Sequence, residues 1–303
     1  SAPIVRRSTR IMAGKAGMER SEANSPLRTD CVGILAGSGR LPEIIAEELA
    51  RRGAAAFVVA LTPETGTWVN AYRHANIPVT HLSRIVHDLK SASVKTVVLA
   101  GGIRVRPSLI SFRPDWTTIR ELPRLVRALM KGDDGLLRTA VNWLGEQGFR
   151  VVGAHELVPS LLAPERVLTL LGPDSDDQED IRVAVAEAKR LGAADIGQAA
   201  VARSGVVLAS EAREGTQAML QLLARNTNGF QRSGVLAKFS KPGQELRADM
   251  PTIGPDSIEQ VAAAGLAGIV VEADRSLILD RELVVARANE LGIFVAGVRG
   301  SAA

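Results

Sequence analysis

The stretch most able to do chemistry in this chain of 303 residues lies between Lys238 and Thr252. A short apolar run at 235–240 predicts a strand, which Pro242 and Gly243 end. The loop that follows concentrates cations, carboxylates and amides, and loops held by a rigid strand often carry chemistry. Lysine and arginine bind phosphate oxygens, and carboxylates bind divalent cations. The composition therefore fits a phosphate with a metal ion, although a solvated, salt-bridged turn has the same composition.

Glycine-containing turns follow two other predicted strands. The G-S-G sequence at 37–39 separates a strand from a helix, an arrangement in which N–H groups and the helix N-terminus attract an anion, and a tight turn explains it equally well. It is not a dinucleotide-binding fingerprint, because Pro42 replaces the third glycine and the second strand ends without an acidic residue. An NAD-dependent enzyme is therefore disfavoured. Gly101 and Gly102 end a third strand.

Acidic residues stand at two predicted helix starts. Asp133 and Asp134 open a periodic helix, and Glu214 precedes Gly215 and Thr216, with Thr216 predicted as the N-cap of the next helix. Capping of free N–H groups accounts for both starts. The functional alternative is that Asp133 and Asp134 face a metal ion or ligand hydroxyls. At the second start, N–H groups near Thr216 would bind phosphate and Glu214 would act as a metal ligand or a base.

The charge distribution gives no support for nucleic-acid binding. The net charge is +4, and residues 1–29 carry all of it with six basic and two acidic residues, so that the rest of the chain is neutral. This segment lacks apolar periodicity and is predicted to be a disordered leader or tag. No run approaches the roughly 20 apolar residues that a membrane span needs. The single cysteine, Cys31, indicates no disulfide framework and fits a reducing compartment.

Strands alternate with helices along the chain, which predicts an α/β protein. We predict two α/β domains: residues 30–160 as an N-terminal, Rossmann-like domain with a mostly parallel sheet, and residues 161–303 as a C-terminal domain with a mixed sheet and the candidate catalytic loop. A tight hairpin is predicted over 199–211, and a capping box led by Ser257 is predicted to open a helix.

Seven motifs occur together in a recognisable order. They read GILAGSGRLP, LAGGI, GDDGLLR, DIGQA, SEAREGT, KPGQELRADMPTIG and AGLAGIVVEA. In sequence and spacing they resemble the UDP-2,3-diacylglucosamine pyrophosphatases of lipid A biosynthesis, of the type unrelated to calcineurin-like phosphoesterases. The resemblance covers about residues 32–298, and the motif at 241–254 is its most specific part. One departure is Gln217, where the family usually has aspartate after E-G-T.

The resemblance implies a ligand held between the two domains and a Mg²⁺-dependent hydrolysis, with Mn²⁺ as an alternative metal, that gives 2,3-diacylglucosamine 1-phosphate (lipid X) and UMP. The essential aspartate of the family falls on Asp249 by motif match. The residues we predict for the site are, as catalytic groups, Asp249 and Lys241; as substrate-binding groups, Gly37, Gly39, Gly101, Gly102, Gly215, Thr216, Lys238, Gln244, Arg247 and Thr252; and as metal ligands, Asp249, Glu214, Asp133 and Asp134.

The physical requirements of pyrophosphate cleavage agree with this assignment. Spreading phosphoryl charge needs cations, which Lys238, Lys241 and Arg247 would supply, and Asp249 would hold Mg²⁺ or orient water. Because no activated nucleophile motif is present, direct attack by water is favoured. A diacylated substrate implies reversible association with the cytoplasmic face of the inner membrane of a Gram-negative bacterium. The alternative is a non-catalytic nucleotide- or lipid-binding protein of the same two-domain form.

Overall fold

The computed structural model describes residues 31–103, 115–129, 133–225 and 232–300, so that the predicted leader at 1–29 lies outside the described residues. It confirms the predicted α/β class, with one parallel and one mixed five-stranded sheet in a two-domain layout. Among the described helices, none combines the length and apolar character needed to cross a bilayer.

The first domain is built on a five-stranded parallel sheet with the order β3-β2-β1-β4-β5. Its strands are β1 Cys31–Ala36, β2 Ala56–Thr62, β3 His74–Pro78, β4 Val94–Ala100 and β5 Arg150–Val152, and its helices are α1 Leu41–Arg51, α2 Leu82–Ser91, α3 Trp116–Leu129, α4 Asp133–Glu146 and α5 Ala154–Leu157. Every residue of β1 is buried, because helices cover both faces of the sheet. The order reverses between β1 and β4, and ligands bind at such a point in open α/β sheets.

The second domain has a mixed five-stranded sheet with the order β12-β10-β8-β6-β7. Its elements are α6 Ser175–Ala193, β6 Ala199–Arg203, β7 Val206–Ser210, α7 Gly215–Arg225, β8 Val235–Lys238, β9 Thr252–Ile253, α8 Pro255–Ala263, β10 Gly268–Glu272, β11 Leu277–Ile278, α9 Arg281–Leu291 and β12 Phe294–Val298. The predicted hairpin is confirmed as β6–β7. Ser204 and Gly205 both have positive φ, as a two-residue hairpin turn requires.

An apolar contact joins the two domains. Met250 and Leu277 of the second domain pack in the same buried cluster as Leu157 and Val158 of the first. Leu277 lies in β11, which pairs with β9 to form a separate two-stranded sheet. This packing fixes the loop that precedes β9 against the first domain, and that loop carries the residues singled out by the sequence.

Three predicted element boundaries are corrected by the structure. Helix α8 begins at Pro255 with Gly254 as its N-cap, so that Ser257 is the third helical residue and accepts a hydrogen bond from the Gly254 N–H at 3.2 Å. Proline is favoured at the first helical position because its missing N–H has no partner there. Helix α7 begins at Gly215, which places Thr216 in its first turn and not at the N-cap. Helix α3 begins at Trp116, whereas the sequence pattern predicts its start at Ile119.

Strand β3 and helix α2 have no counterpart among the predicted elements. Of the five residues of β3, only Ile77 is buried, so the strand carries no apolar pattern that periodicity could detect. It forms because β2 leaves an edge open for parallel pairing.

Candidate active site between the domains

A cleft of about 380 Å³ lies where the two domains meet. Its walls combine the loops after β1 and β4 of the first domain with the loop from β8 to β9 of the second. The lining residues with polar side chains or glycine backbone are Ser38, Gly39, Arg40, Gly101, Gly102, Gln198, Lys238, Arg247, Asp249 and Thr252. Seven of the predicted site residues are therefore brought together here: Gly39, Gly101, Gly102, Lys238, Arg247, Asp249 and Thr252.

The two glycine loops of the first domain are hydrogen-bonded to each other. The Gly37 N–H donates to the Ala100 carbonyl at 2.9 Å, and Ser38 and Gly102 exchange backbone hydrogen bonds at 2.8 and 3.1 Å. A Cβ on Gly101, whose φ is +84°, would lie 2.4 Å from the Ser38 carbonyl oxygen. The glycines therefore allow two backbones to approach closely, and the N–H groups of Gly37 and Gly102 are consumed in that contact.

We expect Gly101→Ala to destabilise the protein by about 2–3 kcal/mol, because alanine would combine a left-handed φ with a backbone overlap. Gly145→Ala is the matched control, since Gly145 lies in the last turn of α4 and a Cβ there meets open space. The control is expected to raise stability by about 0.5 kcal/mol. Urea unfolding followed by circular dichroism measures both. Equal midpoints for the two variants would contradict the close approach of the loops.

Lys238 enters the cleft because it is the last residue of β8, at the carboxyl edge of the second sheet. Its ammonium donates a hydrogen bond to the Thr252 carbonyl at 3.1 Å. Burial lowers the pKa of the Lys238 ammonium, and the carboxylates of Glu211 and Asp249 act in the opposite direction. An anion bound in the cleft would favour the charged form further.

Asp249 lies in the same cleft and is half-buried. The Gln244 side-chain amide donates to Asp249 Oδ2 at 2.6 Å, and the Gln244 amide oxygen accepts the Lys241 N–H at 2.8 Å. Gln244 is buried and therefore positions the carboxylate from behind the cleft wall. Among the described residues no hydrogen bond engages Asp249 Oδ1, so this oxygen is available to a metal ion or water.

Lys241 and Arg247 are placed differently from Lys238. The Lys241 ammonium pairs with Asp195 at 2.8 Å and does not line the cleft. Arg247 lines the cleft, is exposed, and pairs with Glu245 at 2.7 Å. That guanidinium lowers the pKa of the Glu245 carboxyl.

The G-D-D-G-L-L-R motif holds the candidate catalytic loop from the other domain. Asp134 Oδ1 accepts the Glu245 N–H at 2.7 Å, and Arg138 donates both to Asp134 Oδ2 at 2.7 Å and to the Gly243 carbonyl at 2.6 Å. The structure therefore gives Asp134 a positioning role. Helix α4 begins at Asp133, whose side chain lies outside the described part of the chain.

The predicted cluster at the start of α7 divides between two places. The Thr216 hydroxyl donates to Glu211 Oε1 at 2.7 Å, whereas Glu214 is exposed and lines a separate groove of about 760 Å³ beside α7, together with Gly215. Glu211 is buried, and its second oxygen accepts the Gln198 N–H at 2.7 Å. Thr216 is thus linked to the cleft through Glu211, and Glu214 is not part of the cleft.

Gln198, Glu211 and Arg40 are candidate site residues that sequence reasoning missed. Gln198 lines the cleft, and its amide oxygen is buried without a hydrogen-bond partner in the described structure. An unpaired buried acceptor costs about 1–3 kcal/mol, so a ligand N–H or O–H would recover that energy. Arg40 lines the cleft beside Gly39 and bonds Glu47 at 2.9 Å. The DIGQA motif contained a signal for Gln198, since its amide directly precedes β6.

No group of three or more His, Cys, Asp or Glu side chains is positioned to hold a metal ion within the described residues. A metal at Asp249 would therefore take most of its ligands from a bound phosphate and water. Mg²⁺ is bound in this way in many phosphate-handling sites, through one or two carboxylates and substrate oxygens. The oxygen donor available at Asp249 fits such an ion.

Sequence comparisons match both domains to one family. The sequence model described as the LpxI N-terminal domain matches residues 31–161, and the one described as the LpxI C-terminal domain matches residues 164–296. The UDP-2,3-diacylglucosamine pyrophosphatase LpxI of Caulobacter vibrioides is 39% identical over 272 residues, which cover 88% of this chain and 97% of that protein. The chain therefore belongs to the LpxI family.

Proposed function

We propose that this protein hydrolyses the pyrophosphate bond of UDP-2,3-diacylglucosamine to 2,3-diacylglucosamine 1-phosphate and UMP. The observation that carries this proposal is the cleft in which Lys238 and Asp249 face the glycine loops of the first domain. The Caulobacter relative that matches both domains is named for this pyrophosphatase activity.

Lys238 binds the phosphoryl oxygens in this proposal. Pyrophosphate cleavage spreads negative charge over those oxygens, and a cation in a partly dehydrated cleft stabilises that charge more strongly than one in water. The Lys238 ammonium already lies at the carboxyl end of β8, where only a backbone carbonyl hydrogen-bonds it among the described residues. Arg40 and Arg247 also line the cleft, and each is paired with a glutamate, which a bound phosphate would have to replace.

Asp249 acts at the reacting phosphate, in one of two roles. Its carboxylate binds Mg²⁺, with Mn²⁺ as an alternative, or it orients the attacking water. When bound, the metal neutralises charge on the diphosphate. Gln244 fixes the carboxylate through Oδ2 in either role, and the contact of Asp134 with the Glu245 N–H fixes the loop around it.

Chelation of metal with EDTA is expected to slow UMP release at least about 100-fold, and added Mg²⁺ is expected to restore it, because the metal would neutralise the negative charge of the diphosphate during cleavage. Hydrolysis in H₂¹⁸O places one ¹⁸O atom in a single product, which identifies the phosphorus attacked. Full activity in EDTA would contradict the metal requirement. Retention of the lipid substrate without turnover at any Mg²⁺ or Mn²⁺ concentration would favour the non-catalytic alternative.

The proposed substrate carries two acyl chains and therefore resides in a bilayer. We propose that the protein binds reversibly to the cytoplasmic face of the inner membrane of a Gram-negative bacterium, where such a substrate is accessible. Association through surface residues is in keeping with the absence of a spanning helix among those described.

A further inference from the structure

Helix α3 exposes its large apolar side chains. Of the α3 side chains that the structure describes, the large apolar ones have these exposed fractions: Trp116 77%, Ile119 46%, Leu122 39% and Val126 47%. Their spacing of three or four residues places them in one stripe along the helix. A surface helix of a globular protein normally buries such a stripe against the core, so the exposure of these four described side chains is unusual.

Polar contacts at the N-terminus of α3 hold it in this orientation. Asp115 Oδ1 accepts the Thr118 N–H at 2.8 Å, and Asp115 Oδ2 accepts the Ser83 N–H at 2.7 Å, which joins α3 to the start of α2. Thr118 is buried, and its hydroxyl donates to the Thr80 carbonyl at 2.8 Å. The described inner face of α3 is thus polar, and the apolar stripe faces outward as a consequence of specific contacts.

Cations flank the apolar stripe. Arg120 and Arg127 are exposed and lie seven residues apart, hence on one side of the helix. Arg124 is held at the junction with α4 by an ion pair with Glu146 at 2.7 Å. An apolar stripe that includes tryptophan, flanked by arginines, is the pattern of helices that lie in the interface of a bilayer.

The position of α3 also suits a lipid substrate, a point that rests on the proposed function. Only three residues separate Leu129, the last of α3, from Asp133, the first of α4, so the two ends are within about 15 Å of each other. The first turns of α4 contact the candidate catalytic loop through Asp134 and Arg138. A membrane under α3 would therefore lie near the part of the first domain that borders the active site.

We propose that α3 is the element through which this protein docks on a membrane surface that contains anionic phospholipid. Trp116, Ile119 and Val126 enter the interfacial region, and Arg120 and Arg127 meet the lipid phosphates. The charge of α3 favours lipid over a second copy of the chain. If two copies packed stripe to stripe, Arg120 and Arg127 of both copies would border one interface, and like charges repel each other there.

Binding of the full-length protein to vesicles tests the proposal without any need for activity. The vesicles contain phosphatidylcholine with or without phosphatidylglycerol. Binding of every variant is measured by flotation, and tryptophan fluorescence is a second readout for the variants that keep Trp116. We expect the triple variant Trp116→Ser/Ile119→Ser/Val126→Ser to bind at least about 100-fold more weakly, because each buried apolar side chain contributes about tenfold or more. We expect Arg120→Gln and Arg127→Gln each to weaken binding to anionic vesicles about fivefold.

The matched control is Leu170→Ser/Leu283→Ser, which removes two exposed leucines of the second domain. This control is expected to bind vesicles like the wild type. The α3 variants are expected to keep wild-type hydrolysis of substrate dispersed in detergent micelles and to lose hydrolysis of substrate embedded in vesicles. The two assays separate membrane docking from catalysis. If the wild type hydrolysed the substrate in neither assay, the proposed function would be rejected. The vesicle-binding measurements would still test the role of α3.

Three results would overturn the inference. The first is that the α3 variants bind vesicles as tightly as the wild type, which would happen if residues 1–29 alone provided the attraction to anionic lipid. The second is that the wild type hydrolyses substrate in micelles but does not bind anionic vesicles. The third is that light scattering shows a dimer that the Trp116→Ser substitution dissociates, because the apolar stripe would then bind a second copy of the chain.

Discussion

Replacement of Asp249 with asparagine is expected to lower kcat for UMP release by at least about 10³-fold while leaving the fold intact. The substitution removes the negative charge that binds the metal or orients water, and it preserves the shape of the side chain. Gln244 still has an oxygen to which its amide donates, so the loop keeps its position. Asp249 is half-buried at the cleft wall and not in the core, which limits the effect on stability.

The matched control is Asp274→Asn. Asp274 is an exposed aspartate of the same domain with a φ of +59°, a conformation that asparagine adopts readily. It does not line the cleft. The control is expected to retain wild-type kcat, and thermal unfolding of both variants checks their folds. A folded Asp249→Asn enzyme with wild-type turnover would reject the assignment of the site.

Lys238→Met is expected to lower kcat/KM by about 10²–10³-fold, because the cleft loses the cation that stabilises spreading phosphoryl charge. Stability is expected to stay equal or to rise. Burial of the ammonium lowers its pKa, which shows that dehydration disfavours the charged form, and methionine removes that cost with a side chain of similar length. Steady-state kinetics and urea unfolding on the same preparation measure both quantities.

Lys241→Met tests whether the catalytic lysine is the one predicted from the sequence or the one that lies in the cleft. The sequence predicted Lys241 as a catalytic residue, but its ammonium pairs with the exposed Asp195 outside the cleft. The variant is expected to change kcat/KM less than about threefold, as for other surface ion pairs. If Lys241→Met proved more damaging than Lys238→Met, the cleft described here would not be the reacting site.

Local signals explain the elements that could be predicted from the sequence. The sequence pattern predicts a helix over 281–291, and helix α9 has these bounds. Gly292, which follows the helix, has the left-handed conformation at which helices commonly end. The β6–β7 hairpin was predicted from its two-residue turn. Strand β3 could not be found, because its pairing with β2, and not its own apolar pattern, determines it.

The site could be predicted only in part. Asp249 was predicted from the resemblance of its motif to a family, and the structure places it in the cleft between the domains. Gln198 and Glu211 were missed because neither is near the loop in sequence, and the hairpin turn brings Glu211 back to the Gln198 N–H. Gln198 and Glu211 are placed in the site by the pairing of β6 with β7, which their separation along the chain does not reveal.

The sequence by itself determined the two-domain α/β class, most helices and strands, and the loop that carries the candidate chemistry, because these depend on local pattern and on motif order. Only the tertiary structure decided which lysine faces the cleft. Lys238 and Lys241 stand three positions apart in the chain, yet one ends a strand at the cleft and the other turns to Asp195. The directions of their side chains follow from where β8 ends and what packs beside it, and linear spacing does not contain that information.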